Sequence, residues 1–175
     1  MQCVVFDLET TGLSPERDAI LEIGALRIAD GRITGEVFER FVNPRVPIPY
    51  YITRINGIND RMVARAHGIE RVLPEFLDWV GDAPVVAHNA PFDMGFLHVN
   101  SRRLNLTPPH RVTCTVDLSR RLYPQERRHS LDAVCERLNL RSNGARHRAL
   151  ADVELTARAY LHFQTMLLET VRVGV

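Results

Sequence analysis

The chain has 175 residues, 45% of them hydrophobic and 25% charged, with a formal net charge of +1. That length suits a single domain, 1–175, with enough apolar material for a sizeable core. So small a net charge excludes a protein that coats long nucleic acid through bulk electrostatics, but not an enzyme that grips a few nucleotides with local arginines. In chain order, residues 2–7 form an apolar run suited to a buried central strand. Residues 19–29 and 34–42 read as two further strands joined at Asp30-Gly31, a hairpin turn signal. Proline punctuates 44–49 and marks an irregular connection. Residues 70–80 carry Val72, Leu73, Phe76, Leu77 and Val80 at helical spacing before Gly81. A short strand over 84–88 precedes a helix from about Pro91 to Leu104, with proline acceptable in its first turn. A fifth strand over 111–116 is followed by a helix capped at Ser130 and running to Leu138, and by a long helix over 149–169. Strands first, then strands alternating with helices, predict an α/β mixed sheet flanked by helices.

Three segments carry chemistry. In a strand, Asp7 and Glu9 point to one face, so both carboxylates leave the strand end together. They repel unless a cation or proton lies between them, and oxygen-only ligands favour Mg²⁺ or Mn²⁺. Thr10-Thr11-Gly12 follows as a turn whose backbone can come close to a ligand. Alone, the pair has a structural alternative: two acids solvated at a strand end. In the second segment, HNAPFDMGFL at 88–97, Asp93 falls in the first turn of a helix, where a carboxylate also complements the helix dipole. In the third, His147 lies just before a helix and Asp152 about one turn into it. A five-residue offset suits a loop-borne histidine overhanging a metal that Asp152 holds, the place of a general base beside a metal-bound water.

Together, FDLETTG at 6–12, HNAPFDMGFL at 88–97 and HRALADVELTARAYL at 147–161 resemble, in order and spacing, the three motifs of the DEDDh (DnaQ-like) 3′→5′ exonucleases. RHSLDAVCERL at 128–138 is similar to the segment before the third motif. Within the family the likeness is to the proofreading epsilon subunit of bacterial DNA polymerase III. The resemblance implies a ribonuclease-H-like fold and two divalent cations, Mg²⁺ or Mn²⁺. By the same resemblance, Asp7, Glu9 and Asp152 bind the metal on the nucleophile side. Asp7 also bridges to the second metal, Asp93 acts there through bound water, and His147 takes the proton from the attacking water. The implied substrate is the 3′ end of single-stranded or frayed DNA, with RNA as the alternative, and the implied partner is a DNA polymerase subunit. The third reading, from another class, is an inactive nucleic-acid-binding or polymerase-docking module; crowded, mutually repelling carboxylates speak against it.

Substrate contacts are expected from Thr10, Thr11, Gly12, Leu13, Asn56, Asn89 and Phe92. Leu13 matches a family position that wedges between the last two bases; the alternative is that it seals the core. Phe92 and Phe96, four apart on a helix, read as core, with base stacking by Phe92 the lesser reading. Asn56 stands in RINGI where epsilon proteins tend to have histidine, and Arg148 follows the third-motif histidine where they have glycine. His88 reads as structural, orienting Asn89 or the Asp93 loop. His67, His98, His110, His129 and His162 read as surface or packing residues. The pairs Arg102-Arg103, Arg120-Arg121 and Arg127-Arg128 read as solvated helix faces, one or two of which could track phosphates. Cys3, Cys114 and Cys135 have no C-x-x-C spacing and read as small buried hydrophobes. Residues 164–168 faintly resemble a sliding-clamp peptide but lie in a helical pattern. With no apolar run long enough to span a bilayer and no signal-peptide pattern, the expected setting is cytoplasmic, without membrane association.

Overall fold

The apolar run that opens the chain becomes the central strand of a five-stranded mixed sheet. A computed structural model describes residues 2–141 and 148–173. The strands are β1 (Gln2–Thr10), β2 (Ile20–Ala29), β3 (Arg32–Phe41), β4 (Val85–Ala87) and β5 (Val112–Cys114), in the order β3-β2-β1-β4-β5. The first three form an antiparallel meander, whose β2–β3 turn sets both Asp30 and Gly31 at positive φ. Strands β4 and β5 add in parallel beyond β1, after helical crossovers. Helices α1 (Tyr50–Asn56), α2 (Asp60–Val63), α3 (Ile69–Val80), α4 (Ala90–Leu104), α5 (Thr115–Leu122), α6 (Leu131–Arg137) and α7 (Ala149–Val173) complete the described chain. This is the mixed sheet flanked by helices that the sequence predicts, and the ribonuclease-H-like arrangement that the family resemblance implies.

Alternation along β1 divides the core into two layers. Val4, Phe6 and Leu8 face α3 and α4 and pack with Leu73, Phe76, Phe96 and Leu97. Cys3 and Val5 face the other way and pack on Val153, Ala157 and Tyr160 of α7. Each fully buried Phe or Leu of this kind contributes about 1.5–3 kcal/mol. The layering has a consequence for function: odd-numbered residues of β1 look toward α7.

Two local expectations are corrected, and two short helices appear where no element was expected. The fifth strand ends at Cys114, and α5 takes over where 111–116 was expected to stay extended. Its inward face carries Thr115 and Ser119, both fully buried, so polar residues dilute the apolar spacing that marks a helix. Helices α1 and α2 are too short to show a period, and α1 exposes Tyr50, Tyr51 and Ile55. Cys3 and Cys135 are buried as expected, but Cys114 is only half-buried because β5 is an edge strand; none of the three is in a disulfide among the described residues. No described helix is long and apolar enough to cross a membrane.

Candidate active site

Asp7 and Glu9 continue the face of β1 that Cys3 and Val5 begin, so both side chains project beneath α7. Directly across the strand pair from Asp7 stands Gly24. A Cβ there would come within 2.7 Å of Ala149 C and Leu150 N, so only glycine lets the first turn of α7 lie against the strand. That contact brings Asp152, one turn into α7, down to the level of the two strand acids. Carboxylate oxygens of Asp7, Glu9 and Asp152 all lie within 4.8 Å of one another.

Asp93 arrives from the opposite layer. Strand β4 runs parallel to β1, and the chain turns at its C-terminal end through Asn89, whose φ is +62°, into α4. Asp93 in the first turn accepts a 3.1 Å hydrogen bond from Leu8 N, the amide between Asp7 and Glu9. It is 2% exposed and stands outside the three-residue cluster.

The electrostatics follow from this crowding. Burial, then the neighbouring carboxylates of Asp93, Glu9 and Asp152, hold the Asp7 carboxyl well above the ordinary range. Burial likewise pushes Glu9 up to about 8, against a hydrogen bond from Asn56 that favours its charged form. Asp93 also rises to about 8 by burial, against the bond from Leu8 N. Protein groups thus leave negative charge uncompensated in a set of oxygen-only donors. Such a donor set suits a hard divalent cation, and Asp7, Glu9 and Asp152, with Asp93 beside them, are the residues that could hold one.

Thr10 and Thr11 are buried and spend their hydroxyls on the turn itself: Thr10 Oγ1 donates to Gly12 O at 2.6 Å, and Thr11 Oγ1 accepts from Ala19 N at 2.9 Å. Asn56 is 4% exposed, with Oδ1 taken by Ile58 N at 3.0 Å and its side chain hydrogen-bonded to Glu9. It supports an acid of the cluster from within the protein. Leu13 is 83% exposed, which overturns the alternative that it seals the core. Its loop is docked on α4 by its neighbours instead: Pro15 seats over Gly95, and Glu16 pairs with Arg102 and Arg103 at 2.7 and 3.3 Å. Both arginines are exposed, as the solvated-face reading expects, and they also pair with the loop. Asn89 is exposed, while Phe92 is half-buried against Phe96, at 5.2 Å between ring centroids. His88 Nδ1 meets Thr115 Oγ1 at 2.8 Å and ties the end of β4 to the start of α5. His147 lies outside the described residues.

Glu22 and the use made of Arg148 were missed. Glu22, in register with Glu9, is fully buried and bound bidentately by Arg148 at 2.7 and 3.1 Å, with a third bond from Ala149 N at 3.1 Å. The signal was present: one acid in the otherwise apolar run ILEIGAL at 20–26 must find a partner if that strand is buried.

Fold and carboxylate cluster together define a class, the ribonuclease-H-like nucleases that work with divalent cations. The chain belongs to the exonuclease family, whose model matches residues 4–160. It is 42% identical over 166 residues, 95% of its length, to the PolC-type DNA polymerase III of Caldanaerobacter subterraneus subsp. tengcongensis. It spans only about 12% of that relative, and similarly small parts of the other PolC-type relatives. Among solved structures it resembles exonuclease X in complex with 5′ overhanging duplex DNA, at 31% identity and TM-score 0.77, covering 94% of this chain and 92% of that one. E. coli exonuclease I in complex with a dT13 oligonucleotide superposes with TM-score 0.84 over 99% of this chain and 42% of that one; at 17% identity this likeness concerns the fold.

Proposed function

We propose that the chain is a 3′→5′ exonuclease that releases nucleoside monophosphates from single-stranded or frayed DNA ends, in a proofreading setting beside a DNA polymerase. The observation that carries this is the convergence of Asp7, Glu9 and Asp152 within 4.8 Å, with Asp93 bonded to the peptide between the first two. Four carboxylates balance two divalent cations in charge, and Mg²⁺ or Mn²⁺ fits an all-oxygen donor set. Such cations, when bound, supply Lewis-acid polarisation of a phosphate and a water acidified toward neutral pH. Asp7, Glu9 and Asp152 hold the cluster together, and Asn56 keeps Glu9 aimed into it. His147 is the group assigned to take the proton from the attacking water. The Thr10-Thr11-Gly12 turn, self-satisfied in its hydroxyls, offers backbone to a terminal sugar, and exposed Leu13 stands beside it. The likeness to PolC-type polymerases and exonuclease X supports DNA as the substrate and proofreading as the setting.

The test is digestion of matched 5′-labelled DNA and RNA oligomers with Mg²⁺ or Mn²⁺, and with EDTA. DNA should shorten one nucleotide at a time from its 3′ end, stop in EDTA, and resist when it carries a 3′-phosphate. Preferential loss of the RNA would make the enzyme an exoribonuclease. Cutting of closed circular single strands would overturn the exonuclease reading, and full activity in EDTA would overturn the metal.

A further inference from the structure

Glu22 is the third residue of β2 and has no exposure to solvent, directly across from Glu9. A buried carboxylate persists only where a counter-charge and hydrogen bonds meet it. Here Arg148 supplies both, through Nε at 3.1 Å and Nη2 at 2.7 Å, and the first-turn amide of Ala149 adds a third bond at 3.1 Å. The guanidinium also lies 5.0 Å over the ring of Phe41 and 3.9 Å from Glu39, so it is clamped between β2 and β3. The same residue's carbonyl accepts the amide of Asp152 at 3.1 Å. A continuous chain of bonds thus runs from the strand beside Glu9, through Arg148, to the carboxylate that α7 contributes.

We infer that the Glu22–Arg148 pair positions the metal-binding cluster: it seats the start of α7 on β2 and thereby sets Asp152 against Asp7 and Glu9. Arg148 is a positioning residue, whose guanidinium bonds to Glu22 and lies against Glu39 and Phe41. Its guanidinium also cancels the charge of Glu22, so the cluster faces no fifth uncompensated carboxylate. Arginine suits the place where lysine does not, because the bidentate fork fixes direction as well as charge. The inference rests on the cluster being a divalent-metal site, and not on polarity or on the choice of DNA.

The experiment compares wild type, Arg148→Ala, Arg148→Lys, Glu22→Gln and the Glu22→Gln/Arg148→Ala double variant. Mn²⁺ affinity is measured by calorimetry without nucleic acid, single-turnover cleavage of a DNA strand at saturating Mn²⁺, and folding by thermal melting. Arg148→Ala should weaken Mn²⁺ binding and slow cleavage by roughly 10–100-fold, the range typical of groups that orient ligands. Arg148→Lys should recover only part of this. The double variant removes the stranded buried charge and so folds even if Arg148→Ala does not; its loss should match the single variant's, since the pair acts as one unit. A folded double variant with Mn²⁺ affinity within about twofold of wild type, or single effects that simply add, would overturn the inference. Wild type that binds Mn²⁺ but cuts no strand would instead sink the exonuclease reading, and the affinity comparison would still decide the role of the pair.

Discussion

Asp7 is half-buried, and burial, then Asp93, Glu9 and Asp152, raise the proton affinity of its carboxyl. A residue so placed serves binding at the expense of stability. Asp7→Asn should therefore abolish cleavage and Mn²⁺ binding while stabilising the metal-free protein at neutral pH by about 0.5–2 kcal/mol, the size common for a single stabilising substitution. Urea melts in EDTA measure this; an Asp7→Asn protein less stable than wild type would show that carboxylate repulsion does not govern the fold's stability at this position. His147→Gln should behave differently. A general base contributes about 10²–10⁴-fold in rate, so turnover should fall within that range with Mn²⁺ affinity unchanged. Recovery of the full rate at saturating metal would make His147 a ligand instead.

At the scale of elements, the site depends on close approaches that glycine permits. Gly24 lets α7 touch β2, and the added methyl of Gly24→Ala would meet backbone at 2.7 Å, which cannot swing aside. The expected cost is about 1–3 kcal/mol of stability, with Mn²⁺ affinity falling as Asp152 is pushed off the strand acids. Denaturant unfolding and calorimetry on the same variant check both. Gly95 plays a milder part. A methyl there would meet Pro15 Cγ at 3.1 Å and press on the loop that carries Leu13. Gly95→Ala should change the ratio of cleavage at mismatched and paired 3′ ends more than it changes cleavage of single strands. Equal effects on all three substrates would mean that the loop plays no part in opening the terminus.

For the whole molecule, crowded acids predict an unusual pH dependence without metal. Glu9 and Asp93 have folded-state values of about 8, and Asp7 is raised as well, whereas unfolded carboxyls titrate near 4. Between those limits the folded state binds more protons than the unfolded one, so stability falls as pH rises. The contribution is fully present below about pH 4 and is lost as pH passes through about 8. Tm in EDTA should drop by roughly 4 °C or more between pH 5 and pH 9, and Mn²⁺ should remove most of that slope. A Tm in EDTA that climbs over this interval would contradict the charge crowding.

Much of this was legible in the chain because it is written locally. Period-two alternation in 2–7 placed Asp7 and Glu9 on one face, and Asp30-Gly31 marked the hairpin. The resemblance of three ordered motifs to the family's pointed to Asp93 and Asp152 as members of the same site. What local pattern could not carry was the destination of side chains whose partners are far along the chain. Glu22 and Arg148 lie 126 residues apart and meet because Gly24 admits a helix to the strand. Asn56 turns inward to Glu9 although its helix shows an exposed aromatic face, and Leu13 turns outward because Pro15 and Glu16 bind its loop to α4. Periodicity specifies which face a residue occupies, and so the sequence by itself determined the main strands and the shared face of Asp7 and Glu9, while the resemblance of its motifs pointed to Asp93 and Asp152. Packing between elements remote in sequence decides what that face meets, and only the tertiary structure therefore decided how the acids are held together.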